Sequence, residues 1–251
     1  MLYNFEEKIL MYTFGSRVRY SETDEYGKLT LTGIMNYLQD CSTFQSEDNG
    51  LGVAYFTKRH KAWWLSSWQI VVDRYPAMGE KIVISTWPYD FKGFYGYRNF
   101  TVCDQEGNYL VRANSVWFLF DTQKGRPAKI EADDIRGYGT TWEKPLDMEY
   151  APRRIAVPEE YQALAPVIVG KHHIDTNHHV NNSKYVEIAR EVLPDGMEVS
   201  ELRVEYKKAA VFGDAVYPRV SKTEEGYVVS LCDEQGTAYA VIWLCGTTER
   251  I

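Results

Sequence analysis

The chain has 251 residues, long enough to bury a substantial core in one large domain or two smaller ones, and its 45% hydrophobic and 25% charged residues are ordinary for a globular protein. A net charge of −7 excludes broad adhesion to nucleic acid or to an anionic membrane, since both rely on excess Lys and Arg. The longest apolar run, near Ala238 to Cys245, is too short to span a bilayer, and "MLYNFEEKIL" does not read as a secretory leader. Cys41, Cys103, Cys232 and Cys245 are scattered without a CxxC pair, as packed, reduced thiols would be, so a cytoplasmic protein is expected.

The first strongly periodic segment is "TGIMNYLQDCSTFQ", whose Ile34, Tyr37, Leu38, Cys41 and Phe44 make the stripe of a helix with one buried face. After it, "SSWQIVVDRY" and "KIVISTW", separated by a turn at Gly79, read as strands. "CDQEGNYLVRANSVWFLF" then reads as a strand end, an Asx-rich turn with Gly and a further strand. Trp63, Trp64, Trp68, Trp87, Phe91, Phe94 and Tyr97 enrich this half in rings, which can fill a core or wall an apolar pocket. Pro145, Pro152 and Pro158 mark residues 131–160 as a surface connector of little periodicity.

The order then repeats. "SKYVEIAREVLP" carries a helical stripe at Tyr185, Ile188, Ala189 and Val192, with Asn182 or Ser183 as the expected N-cap and Pro194 past its end. In "LRVEYKK", Leu202, Val204 and Tyr206 alternate with charged residues, and "AVYPRVS" and "CDEQGTAYAVIWLCG" complete a second meander. One helix followed by a curling antiparallel sheet, twice, predicts an α+β protein of two units, residues 1–130 and 161–251.

Just before the second helix stands "HHIDTNHHVNN", residues 172 to 182, with four of the five histidines. If the backbone stays extended there, His173, Asp175, Asn177 and His179 point to one side, in a row beside the N–H groups that open the helix. Three readings compete: a polar cap with solvated histidines, a metal site, and an acid–base site. A metal would need further ligands, yet the only other histidine is His60 and the spacing resembles no familiar zinc motif, so no metal or cofactor is expected. Acid–base chemistry needs a group titrating near neutrality, which imidazole provides. Superposing Thr23 of "SETDEYGKLTL" on Thr176 sets Asp24 against Asn177 and Tyr26 against His179, so the row has no twin. The second unit is then expected to react while the first shapes the pocket.

"DTNHHVNNSKYVE" followed by "VEYKKAAVFGD" resembles the acyl-acyl carrier protein thioesterases of plant plastids and bacteria, and "SETDEYGKLTLTGIMNYLQDCSTFQSEDNGLG" looks like their amino-terminal region. The resemblance spans nearly the whole chain and implies two tandem hotdog domains. It further implies hydrolysis of the thioester between a fatty acyl chain and acyl carrier protein, with Asp175, Asn177 and His179 as the catalytic Asp, Asn and His. Members of the plant type read E-Y-R-R-E-C where this chain has Glu205, Tyr206, Lys207, Lys208, Ala209 and Ala210. The second acid is therefore Ala209, and the Cys once proposed as nucleophile is Ala210. Glu205 lies four residues back, about 13 Å along a strand, and is no obvious substitute.

In the expected scheme Asp175 and His179 activate a water, Asn177 aligns it, and the N–H groups of Val180 and Asn181 receive the oxyanion; attack by Asp175 itself is a variant. Lys171, Lys184, Lys207 and Lys208 are the candidate contacts for the acidic carrier. Hydrolysis of acyl-coenzyme A and non-catalytic acyl binding are the alternatives. A monomer or a homodimer is compatible with two fused hotdogs.

Overall fold

The computed structural model describes residues 11–138 and 143–248. The extreme amino terminus, on which the leader reading rested, lies outside the described residues. The first half contains β1 (Tyr12–Arg17), α1 (Leu31–Asp48), α2 (Val53–Thr57), β2 (Lys61–Val72), β3 (Lys81–Lys92), β4 (Tyr95–Cys103), β5 (Tyr109–Asp121), β6 (Arg126–Pro127) and α3 (Ala132–Ile135). The second contains β7 (Gln162–Ala163), β8 (Val167–Ile168), α4 (Asn182–Arg190), β9 (Met197–Tyr206), β10 (Ala215–Lys222), β11 (Tyr227–Cys232) and β12 (Ala238–Thr248).

The two halves repeat one topology. The first half runs β1-β3-β4-β5-β2 across the sheet, and the second, read from its own edge, runs β7-β10-β11-β12-β9. They meet where β2 pairs antiparallel with β9, Trp68 opposite Val204 and Ile70 opposite Leu202, so both units share one continuous sheet. Their apolar faces, including Leu38, Ile70 and Phe100 from the first and Val186, Leu202 and Ile242 from the second, merge into a single core.

The repeated hairpins match in detail. Asp104 and Asp233 donate their N–H groups to Asn108 O (3.1 Å) and Thr237 O (2.8 Å), while Gly107 and Gly236 donate back to the Asp carbonyls. Both glycines have φ near +85°, a region that a Cβ disfavours (+87° and +84°). These are the two Asx-Gly turns read from the sequence.

The helical stripes hold with three corrections. α1 buries Ile34, Tyr37, Leu38 and Cys41, but Phe44 is 44% exposed and instead meets Phe14 edge-on at 5.5 Å. The N-cap of α4 is Asn181, whose side-chain oxygen accepts the Ser183 N–H at 3.0 Å; Asn182 and Ser183 already lie inside the helix. The helix ends at Arg190, leaving Val192 beyond it, short of Pro194.

The described part of the connector does more than cross the surface. Asn99 Oδ1 accepts the Leu146 N–H and the Tyr150 hydroxyl, both at 3.0 Å. Gln69 donates to Glu149 O at 3.0 Å and accepts from the Ala151 N–H at 2.9 Å, and Glu205 accepts the Ile155 N–H at 3.3 Å. These polar side chains alternate along their strands with core residues such as Ile70, Phe100 and Val204, so they occupy the sheet face away from the helices. The connector covers that face and satisfies groups that would be costly to bury unpaired.

Candidate active site

The polar stretch is a tight turn rather than an extended row. A 3₁₀ turn at Lys171–His173 leads into a bridge between Ile174 and Val180. Between them the Asp175 N–H donates to His179 O (2.9 Å) and the His178 N–H to Asp175 O (3.0 Å), while Asp175 Oδ1 accepts the Asn177 N–H (2.8 Å). This is the Asx turn that Asp favours, and it puts His178 at φ +61°. Extension would have put His173 on the same side as Asp175, Asn177 and His179; the turn brings the last three to the wall of one cavity, and His173 is not among the residues that line it.

His173 serves the scaffold. It is buried, its Nδ1 accepts the Gly170 N–H at 3.0 Å, and its carbonyl accepts the Asn181 N–H at 2.8 Å. Burial, helped by the neighbouring His172, pushes its pKa down and favours the neutral acceptor. His172 and His178 are exposed, so His179 is the histidine of this stretch that faces the cavity.

The first unit has a corresponding turn, in a different register from the one expected. Tyr20–Glu22 form its 3₁₀ turn, Thr23 bridges Leu29, Asp24 donates to Lys28 O and accepts the Tyr26 N–H, and Gly27 takes φ +71°. Asp24 therefore corresponds to Asp175, Tyr26 to Asn177 and Lys28 to His179. The carboxylate is repeated, whereas the carboxamide and the imidazole are not.

The cavity encloses about 560 Å³ between the first unit's α1, α2 and strands β2 to β5 and the second unit's turn, the start of α4 and the end of β9. Trp63, Trp64, Phe91 and Tyr97 line it as expected, joined by Phe56 and Phe118. Trp68 and Trp87 belong to the buried interior instead, and Phe94 is partly exposed. Trp64 stacks on Phe120 at 3.8 Å and presents its face or edge perpendicular to the His179 ring at 6.1 Å, so the two units meet at the site. The pocket is not wholly apolar: α1 contributes Gln39, Ser42, Thr43 and Ser46, and the buried Arg98 is held by Gln45 and by Thr86 Oγ1 at 3.1 Å. A polar helical face reads as solvated in sequence, so this wall carries no local signal.

Both expected oxyanion donors are already used. The Val180 N–H donates to Ala210 O at 2.9 Å and the Asn181 N–H to His173 O at 2.8 Å. Ser183 and Lys184 donate to the Asn181 side chain and carbonyl. Asn182, the first residue of α4, lines the cavity, and no hydrogen bond of its N–H is found among the described residues. Ala209 also lines the cavity; Ala210 is buried behind it and donates its N–H to the Tyr185 hydroxyl at 2.8 Å. Burial pushes the Tyr185 hydroxyl up to about 12, keeping it protonated at neutral pH.

Of the four lysines, Lys207 and Lys208 reach the cavity, with partners in Glu205 (3.4 Å) and Asp233 (2.9 Å). Lys184 pairs with Glu187 at 2.6 Å, and Lys171 is exposed on the 3₁₀ turn. Among the described residues no group of three or more His, Cys, Asp or Glu side chains is arranged to hold a metal ion. No helix among them is long and apolar enough to cross a membrane.

Residues 10–138 match the family model of the acyl-ACP thioesterase N-terminal domain, and residues 160–242 that of the C-terminal domain. The chain is 29% identical over 199 residues to a chloroplastic palmitoyl-acyl carrier protein thioesterase of Gossypium hirsutum, covering 70% of this chain and 46% of that protein. It is 28% identical over 198 residues to a chloroplastic dodecanoyl-[acyl-carrier-protein] hydrolase of Cinnamomum camphora, covering 71% and 51%. The chain thus spans about half the length of the curated relatives it matches. Its fold is similar to that of an acyl-ACP thioesterase from Bacteroides thetaiotaomicron, with a TM-score of 0.85 at 24% identity over 94% of this chain and 97% of that one. The 12:0-ACP thioesterase from Umbellularia californica gives a TM-score of 0.84 at 19% identity over 96% and 100%.

Proposed function

The chain belongs to the acyl-ACP thioesterase family, built from tandem hotdog domains, and from that premise we propose that it hydrolyses acyl-[acyl-carrier-protein] thioesters to free fatty acid and carrier protein. The observation that carries this reading is the meeting of Asp175, Asn177 and His179 on the wall of a cavity to which the first unit contributes the rings of Phe56, Trp63, Trp64, Phe91, Tyr97 and Phe118. An acyl chain can lie against those rings with its thioester at the polar turn.

In the reaction, His179 accepts a proton from a water that Asp175 and Asn177 help to align, and the water oxygen attacks the thioester carbon. The carbonyl oxygen gains the negative charge, and the Asn182 N–H at the start of α4, in place of Val180 and Asn181, is the donor suited to receive it. Collapse of the tetrahedral intermediate breaks the carbon–sulfur bond, and the proton held by His179 passes to the departing thiolate. Attack by Asp175 through an acyl anhydride is the alternative chemistry.

Residues 1–130 act in this scheme as the pocket-forming unit, 131–160 as the connector and 161–251 as the reacting unit. Lys207 and Lys208 at the cavity, with Lys171 and Lys184 nearby, are our candidate contacts for the acidic carrier. The four free thiols suit a cytoplasmic setting, and the β2–β9 pairing within one chain is compatible with a monomer as well as a homodimer. Ala209, in place of the family's second acid, favours a second reading as a non-catalytic acyl-binding module.

A product assay on carrier-bound acyl groups of graded length, with coenzyme A thioesters in parallel, tests the proposal. Release of fatty acid from the carrier-bound series is expected, and His179→Ala should lower kcat by about 10² to 10⁴. Retained acyl ligand without turnover would favour the binding module, and faster cleavage of the coenzyme A series would reassign the carrier.

A further inference from the structure

So far the first unit walls the cavity and the second performs the chemistry. We infer that the first unit also supplies a catalytic residue: Gln39, on α1, donates a carboxamide N–H to the thioester carbonyl and shares the oxyanion with the backbone N–H of Asn182. This rests on the thioesterase reading and adds a donor to it from the other half of the molecule.

Gln39 lines the same cavity as Asp175, Asn177 and His179. The Asn182 side chain donates from Nδ2 to Gln39 Oε1 at 3.3 Å, which turns the amide oxygen toward α4 and leaves Nε2 with both hydrogens to give elsewhere. Among the described residues neither the Gln39 Nε2 nor the Asn182 N–H has a hydrogen-bond acceptor, although the other N–H groups at the start of α4 are all engaged. Two donors without an acceptor, one from each unit, thus belong to residues that touch one another and line the cavity of Asp175, Asn177 and His179.

Both are held in position. The Tyr206 hydroxyl, from the end of β9, donates to Asn182 O at 2.9 Å. On the other side, Ser42 and Thr43 each donate a hydroxyl to the Gln39 carbonyl at 2.9 Å, two further bonds to the backbone of α1 at this residue. Preorganisation of this kind lets a donor stabilise developing charge without moving at the moment of reaction.

The internal duplication supplies the contrast. In the register set by Asp24 and Asp175, Leu31 corresponds to Asn182 and Arg190 to Gln39. Leu31 brings an apolar side chain that cannot orient a partner, and Arg190 donates to Met197 O at 2.8 Å to tie the end of α4 to β9. The carboxamide pair thus occurs once, on the side where Asn177 and His179 also stand.

Gln39→Leu and Gln39→Glu test the inference by kcat and KM on a carrier-bound acyl thioester, with Tm measured for each. The Glu carboxylate can still accept from Asn182 Nδ2 but cannot donate, and its near-identical shape guards against an unfolded Leu variant. Both should lose about 10² to 10³ in kcat with KM within roughly threefold, and Gln39→Glu should keep its Tm. Gln39→Glu with kcat within about fivefold of the parent, or a loss that falls on KM alone, overturns the assignment while leaving the thioesterase reading intact. A parent protein that cleaves no acyl thioester overturns both.

Discussion

Asp24 and Asp175 do the same work in the two halves of the chain. Each accepts the N–H two residues ahead through Oδ1, from Tyr26 at 3.0 Å and Asn177 at 2.8 Å, and each donates its own N–H to the carbonyl four residues ahead, at 2.9 Å in both cases. The carboxylate is therefore a turn-former in both units and a candidate reactant in one, so an alanine substitution would confound the two roles. Asn keeps the acceptor oxygen and removes the charge. Asp175→Asn should keep Tm within a few degrees while lowering kcat by at least about 10², and Asp24→Asn should leave kcat unchanged. Equal kinetic effects at the two positions would reduce Asp175 to its turn.

His173 gives the turn a dependence on pH. Its folded-state pKa lies below the ordinary value of about 6.5, chiefly through burial, so it binds a proton less readily folded than unfolded. The associated stability is fully present above the unfolded pKa and is lost as pH falls from there through the lower folded value. Protonation would also cost Nδ1 its role as acceptor for the Gly170 N–H. Tm measured from pH 7.5 down to pH 5 should therefore fall more steeply for the parent than for His173→Gln, whose amide oxygen can accept that bond without titrating. Parallel curves would remove His173 as the cause.

Much of this architecture can be read locally. The Asp104 and Asp233 hairpins announce themselves because an Asx side chain and a glycine at positive φ are what such a turn demands. The turn that carries the site was hidden by one substitution: the first unit uses Gly27 at φ +71°, while the second puts His178 at φ +61° and so lacks the glycine that would have signalled a turn. The period-two reading followed from that. Oxyanion donors could not be ranked from sequence, because the engagement of Val180 and Asn181 depends on Ala210 and on His173. The β2–β9 junction and the Gln39–Asn182 contact are likewise products of long-range pairing, invisible to local propensity.

Gly96 on β4 offers a handle on acyl length. A Cβ there would meet Phe91 at 3.1 Å and Trp63 at 3.2 Å, tighter than ordinary contact, and all three residues line the cavity. Gly96→Val should thrust bulk between the rings and shorten the space for the chain. On substrates of graded length the optimum should move to shorter acyl groups, with the kcat on those groups retained. An unchanged optimum with uniformly lower activity would mean that the chain runs elsewhere.

Ala209 is the remaining departure from the family pattern, and the structure makes its replacement interpretable. The backbone at this point is fixed against the polar turn, since Ala210 accepts the Val180 N–H and donates to the Tyr185 hydroxyl. Lys208 before it is drawn toward Asp233, and Ala209 itself is exposed and faces the cavity that contains His179. A glutamate can therefore be introduced without displacing core atoms, and its carboxylate would share the cavity with the imidazole and with the water of the proposed mechanism. If Asp175 and Asn177 leave that water incompletely oriented, Ala209→Glu should raise kcat by about tenfold with KM little changed, a modest fraction of what a general base contributes. An unchanged kcat would mean that a carboxylate at this position adds nothing to the orientation of that water.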